Sequence, residues 1–136
     1  ASVTLTAAAL PGARFVGWGG ACAGLVATCT VAMEATKLVT ASFARVVNGF
    51  VCTIVGTNRG NRIVGTSARD VICALKGKDV VRGRGGNDVL LLGDADDKGY
   101  GGPGNDRIVG GNGKDLLAGG PGRDVCRGRG DVKRSC

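Results

Sequence analysis

From residue 56 onward the apolar positions of this 136-residue chain fall into step. Ile63, Ile72, Val81, Leu90, Ile108 and Leu117 share one phase of nine, with Gly99 and Cys126 in the two remaining frames. Two places before each stands a short polar residue: Asn61, then Asp70, Asp79, Asp88, Asp97, Asp106, Asp115 and Asp124. Glycine recurs at the first, second and fourth places of the unit. A period of nine is neither the alternation of a long strand nor the period of a helix. It marks a stacked repeat, whose units cannot bury their apolar faces alone and need neighbours.

The chemistry of the unit predicts its shape. Glycines at places one, two and four let the backbone turn sharply with its carbonyls exposed. Places seven to nine have room only for a three-residue strand, of which the middle side chain points inward. Two units then make one flat coil, and stacked coils pair their strands in parallel. Carboxylates two units apart lie above one another, roughly 4.8 Å apart. One edge carries Asp70, Asp88, Asp106 and Asp124; the other carries Asp79, Asp97 and Asp115. Like charges so close need neutralising. Two carboxylates with glycine-turn carbonyls suit calcium, a hard cation that takes about six to eight oxygens. The alternative is that each Asp merely caps its turn by hydrogen bonds. Capping alone does not call for glycine at three fixed places, and Asn or Ser would serve it equally well.

The turns GGPGND (101–106), GGNGKD (110–115) and GGPGRD (119–124), with GRGGND (83–88) lacking only the second glycine, resemble the haemolysin-type calcium-binding repeats of the RTX family. That resemblance implies an all-β chain built as a parallel β-roll, several bound calcium ions, and a secreted or cell-surface location. It implies metal sites formed by Asp70, Asp79, Asp88, Asp97, Asp106, Asp115 and Asp124 together with Gly83, Gly101, Gly110 and Gly119, which open the best-formed turns. The tightest sites are then expected at Asp88–Asp106 and Asp106–Asp124, Asp97–Asp115 next, and Asp79–Asp97 and Asp70–Asp88 last. ALKGKD (74–79) and GTSARD (65–70) have lost glycines, and LGDADD (92–97) leads to Gly99 at the inward place. The last frame, GRGDVKRSC (128–136), puts Lys133 at place six and leaves that unit without a ligand.

The first 48 residues follow another grammar. Val3, Leu5 and Ala7 alternate as a strand, Pro11–Gly12 reads as a turn, and further strands are expected over 14–18, 28–33 and 37–44. The run VTLTA…GARFVGWGGACAG…CTVAM…KLVTASF resembles a divergent internalin-B-type bacterial repeat whose first strands are missing. The expected organisation is therefore a truncated antiparallel β-sheet domain over 1–47, followed by the roll over 48–136. Trp18 is expected in the packing of that sheet rather than as a platform for a sugar.

Six cysteines pair by position as Cys22–Cys29, Cys52–Cys73 and Cys126–Cys136, although all fifteen connectivities remain open to an even set of six. With no histidine and no CxxC pair, zinc is disfavoured. Disulfides point to an oxidising compartment. Apolar runs fall well short of the ~18 residues that cross a bilayer.

The net charge is +7, and residues 49–136 hold fifteen of the 18 basic side chains against ten of the 11 acidic ones. Those cations fill outward places and soften the repulsion between carboxylates; a sharper use is attachment to an anionic cell-wall or surface polymer. No motif supports specific nucleic-acid recognition. Without histidine, and with carboxylates confined to the edges of a stack, the chain is not expected to be an enzyme. Arg129–Gly130–Asp131 spells a tripeptide known from adhesion, read here as ordinary repeat residues. The leading expectation is an extracellular calcium-binding module that folds or stiffens on meeting calcium. Alternatives are the stabilising C-terminal module of a secreted enzyme or toxin, and a basic adhesion module.

Overall fold

A nine-residue unit with one inward side chain should stack, and it does. The computed structural model describes residues 2–32 and 37–136, which contain fifteen strands and no helix. They form two compact units, Ala1–Val51 and Cys52–Cys136.

In the first unit β1 (Ser2–Thr6) pairs antiparallel with β3 (Thr28–Ala32). β2 (Ala13–Gly20) pairs antiparallel with β4 (Val39–Val47), which turns at Asn48–Gly49 into β5 (Phe50–Val51). The Pro11–Gly12 turn stands where its composition placed it, with Gly12 at φ 79°. The strand expected over 28–33 ends at Ala32; Met33 lies outside the described residues. Trp18 is half-buried, its ring 5.3 Å from that of Phe15, and its Nε1 donates to the Val26 carbonyl at 2.8 Å. It belongs to the packing of this unit.

The second unit is a parallel β-solenoid. β6 (Ile54–Val55), β8 (Val71–Cys73), β10 (Val89–Asp94), β12 (Arg107–Asn112) and β14 (Val125–Arg127) make one sheet. β7 (Arg62–Val64), β9 (Val80–Arg82), β11 (Lys98–Tyr100), β13 (Leu116–Ala118) and β15 (Val132–Arg134) make the other. The chain alternates between them, and partners in register are two units apart, as Leu90 is flanked by Ile72 and Ile108. Between the sheets lie Ile72, Val81, Leu90, Ile108 and Leu117, none with any exposed surface. Each such side chain contributes about 1.5–3 kcal/mol by leaving water. Gly99 leaves a gap in this row, and Leu92 fills it: a Cβ on Gly99 would stand 3.0 Å from a Leu92 methyl and 3.1 Å from Ile108. Leu92 is wholly buried although it occupies a place that glycine holds in most units.

The second and fourth places need glycine for two reasons at once. Gly102 and Gly104 take φ 110° and 142°, and a Cβ on either would strike the backbone carbonyl of Arg84 or Gly86 in the neighbouring coil. At three places where the sequence lacks glycine the backbone keeps this conformation: Leu75, Arg84 and Ala95 hold φ 83°, 85° and 94°. The stack imposes this conformation on side chains that disfavour it.

Three disulfides join Cys22–Cys29, Cys52–Cys73 and Cys126–Cys136, the pairing expected from position. The last two tie the outermost coils of the roll, where a strand has a neighbour on one side only.

The exposed Arg84 offers a direct check of this backbone account. Arg84→Gly is expected to stabilise the second unit by about 0.5–1 kcal/mol in denaturant unfolding, because relief of the left-handed cost exceeds the added freedom of the unfolded chain. An unchanged or lowered midpoint would show that the turn does not strain Arg84.

Candidate metal centre

Each aspartate at place six stands immediately before a strand, where the ladder of parallel pairing begins. The Asp88 carbonyl accepts from Arg107 N–H at 2.8 Å and the Asp106 carbonyl from Val125 N–H at 2.8 Å, so the backbone on either side of the carboxylate is fixed. The side chain continues the ladder. From Asp79 onward, Oδ1 of each aspartate accepts the backbone N–H of its counterpart in the coil before it. On one edge Asp70 N–H donates to Asp88 at 2.8 Å, Asp88 N–H to Asp106 at 2.8 Å, and Asp106 N–H to Asp124 at 2.8 Å. On the other, Asn61 N–H donates to Asp79 at 2.6 Å, Asp79 N–H to Asp97 at 2.7 Å, and Asp97 N–H to Asp115 at 2.9 Å. The two edges are those expected from alternation.

That bond uses one oxygen of each carboxylate. The other, Oδ2, is buried without a hydrogen-bond partner in Asp79, Asp88, Asp97, Asp106, Asp115, Asp124 and Asp131. A row of desolvated, unpaired carboxylate oxygens is costly unless something neutralises them. Burial is the main reason why the carboxyls of Asp79, Asp88, Asp106 and Asp115 are pushed above the usual carboxylate range. Asp97 is pushed up to about 6, by burial first and by the charges of Asp79, Asp115 and Asp96 after it. The bonded N–H on Oδ1 opposes the rise in each case and does not cancel it.

The first-place glycines explain the space beside these oxygens. A Cβ on Gly83 would collide with Asp88 Oδ2 and lie 2.6 Å from the Gly101 carbonyl oxygen. One on Gly101 would collide with Asp106 Oδ2 and lie 2.6 Å from the Gly119 carbonyl oxygen. The cradle that a Cβ would fill is thus lined by a carboxylate oxygen and a carbonyl oxygen. Among the described residues no three His, Cys, Asp or Glu side chains converge on one point. A cation held here must draw on carboxylates and backbone carbonyls, an all-oxygen set that suits calcium. The residues present fit that ion.

Three departures modify the expectation. In the first two turns the side-chain oxygen is already satisfied: Asp70 Oδ2 accepts from Thr66 N–H at 2.6 Å and from its hydroxyl at 3.0 Å. Asn61 Oδ1 likewise accepts from Thr57 N–H at 2.7 Å. Those turns show the hydrogen bonds of the capping alternative, and Asp70 Oδ2 is already bonded. The Thr-x-x-x-Asx spacing, present twice, is the sequence signal for it. At Asp79 and Asp97 the first place holds Ala74 and Leu92, which point into the core instead of leaving a glycine cradle.

The third departure lies at the end. Lys133 does not take place six of the last unit; it pairs with Leu117, at the inward place, and its Nζ donates to the Gly128 carbonyl at 3.0 Å. The final turn is two residues shorter than the others, so Asp131 takes the ladder position, with Asp115 N–H 3.3 Å from its Oδ1. The signal was the repeat of Asp-Val-x-Arg at 124–127 and 131–134, out of phase with the nonapeptides. Asp131 is therefore a rung of the ladder rather than a free tripeptide. Asn87 and Asn105 add a parallel row, their Oδ1 atoms capping Asn105 N–H and Arg123 N–H at 2.8 Å each.

Comparison with known families agrees with this architecture. The model for the RTX calcium-binding nonapeptide repeat (4 copies) matches residues 55–90 and 91–126, and the model for the divergent InlB B-repeat domain matches residues 1–47. No curated protein and no solved structure gives a significant match. The RTX match covers more than half of the chain, and with the phased aspartates, the stacked parallel strands and the oxygen-lined glycine cradles it shows that the chain belongs to the RTX calcium-binding nonapeptide repeat family.

Proposed function

We propose that the second unit is an extracellular calcium-binding roll that reaches its full order only with the ion bound, and that its role is structural rather than catalytic. Asp79, Asp88, Asp97, Asp106, Asp115 and Asp124 supply carboxylate oxygens, and Gly83, Gly101, Gly110 and Gly119 supply the turns. The observation that carries this reading is the row of buried Oδ2 atoms without partners. When bound, calcium supplies the positive charge that the row lacks. The chain's own part is to hold each carboxylate in place through Oδ1 before the ion arrives. Binding to the folded form alone then stabilises it by RT ln(1 + [L]/Kd), about 2.7 kcal/mol per site at a hundredfold excess over Kd. Three disulfides support an oxidising, external setting.

A second reading rests on the outward face of the β7-β9-β11-β13-β15 sheet. Its two rows are Arg62, Val80, Lys98, Leu116 and Val132, and Val64, Arg82, Tyr100, Ala118 and Arg134. Four cations and no acid stand there, with the Arg82 guanidinium 5.6 Å from the Tyr100 ring centre. Such a face suits an anionic surface polymer, and attachment by charge must weaken as salt rises.

Calcium is expected to increase β-structure in circular dichroism and to release or absorb heat on titration, while magnesium does so far less because it demands a tighter octahedron. No change at millimolar calcium would refute the metal reading.

Asp106→Asn should remove more bound calcium than Asp79→Asn in equilibrium dialysis. Asp106 Oδ2 lines the glycine cradle at Gly101, whereas Ala74 replaces the cradle of Asp79. Equal losses from the two variants would contradict the assignment of cradles.

The metal-free roll is expected to gain stability on acidification from pH 7.5 to pH 5. Raised carboxyls bind more protons folded than unfolded, so their contribution is full at low pH and is lost as pH rises through the folded value, about 6 for Asp97. In saturating calcium the slope should reverse, because protons then compete with the ion. Melting temperatures at both pH values, with and without calcium, test both signs.

A further inference from the structure

We propose that Asp115 and Asp131 form an additional calcium site at the C-terminal end of the roll, made by the shortened last turn and completed by Asp131, which lies outside the residues matched by the repeat family. This rests on the calcium reading above and extends it to a place where the nonapeptide phase shows no ligand.

The geometry differs from the regular turns in one oxygen. At Gly83 and Gly101 the cradle is lined by the aspartate of the same unit and by the carbonyl of the first-place residue one coil on, Gly101 or Gly119. The corresponding carbonyl for Gly110 belongs to Gly128, and it accepts the Lys133 amine at 3.0 Å. In its stead a second carboxylate enters: a Cβ on Gly110 would collide with Asp115 Oδ2 and lie 2.6 Å from Asp131 Oδ2. Two carboxylate oxygens from two coils thus face one cradle. Both are buried and lack hydrogen-bond partners, and Asp115 itself is 2 % exposed.

The two-residue deletion is what makes this possible. Val132 pairs with Leu116 and its N–H donates to the Asp115 carbonyl at 2.8 Å, so β15 keeps the register of a full coil while the turn before it closes early. Gly128–Arg129–Gly130 replaces the longer glycine turn, with Gly130 at φ 75°. A Cβ on Gly128 would overlap Asp131 Oδ2, so the turn approaches its carboxylate closely. The Cys126–Cys136 disulfide fixes the strand that carries Asp131 to the coil beneath. Affinity in oxygen sites rises with the number of charged ligands and with rigidity, and this site has both.

The test is calcium titration of the full, oxidised chain and of Asp131→Asn, by equilibrium dialysis with backbone amide spectra recorded in parallel. The expected result is one ion fewer per chain in the variant. Calcium-induced shifts should vanish at Gly110, Asp115 and Gly128 and persist at Gly83, Asp88, Gly101 and Asp106. Replacing Cys126 and Cys136 together by serine should weaken the same site and spare the same distant residues. A variant with the wild-type stoichiometry and shifts overturns this site while leaving the calcium reading intact. Loss of shifts along the whole ladder in Asp131→Asn also overturns it, since Asp131 would then hold the fold rather than an ion. A wild-type chain that takes up no calcium overturns both readings together.

Discussion

The structure depends on one divided carboxylate. From Asp79 onward, each ladder aspartate accepts a backbone N–H of the preceding coil on Oδ1 and keeps Oδ2 buried and unpaired. The first bond sets the side chain in place and fixes the vertical register of the turns. The second oxygen carries an unmet demand, repeated along both edges. A turn built of glycines meets the geometric half of that demand by leaving room. The electrostatic half is left to a cation.

This division explains why the repeat tolerates some losses and not others. The inward row loses a side chain at Gly99, and Leu92 fills the gap from a neighbouring place, because a packed core needs volume more than it needs a particular position. Left-handed turn places accept Leu75, Arg84 and Ala95 at a modest local cost. The aspartate is replaced once, by Asn61, in a turn where Thr57 supplies the hydrogen bonds that a cation would otherwise make unnecessary. Together with Asp70 and Thr66, and the nearby Cys52–Cys73 disulfide, it gives the roll an N-terminal end held by hydrogen bonds and a covalent tie.

Much of this was legible in the sequence because the nonapeptide phase is a direct imprint of the coil. The alternation of edges, the inward row and the parallel stacking follow from spacing, and the three cysteine pairs are the ones that position suggested among fifteen connectivities. What spacing hides is any compensation between places and any change of phase. Leu92 substituting for Gly99 is a contact between two units, invisible to a reading of either one. Asp131 takes the ladder place that counting by nine gives to Lys133, and Lys133 moves to the inward place, because the last turn drops two residues. The capping of Asp70 by Thr66 needed the turn's hydrogen bonds to be traced rather than the aspartates to be counted.

The central claim is that the unpaired Oδ2 atoms are cation ligands. It is tested most directly by a crystal structure of the oxidised chain grown in calcium, with anomalous differences used to locate the ions. The account predicts peaks in two rows along the edges of the roll, at about 2.3–2.6 Å from Oδ2 of Asp88, Asp106, Asp115 and Asp124. Oδ2 atoms bonded only to water, with the turns well ordered and no anomalous peaks beside them, would contradict it.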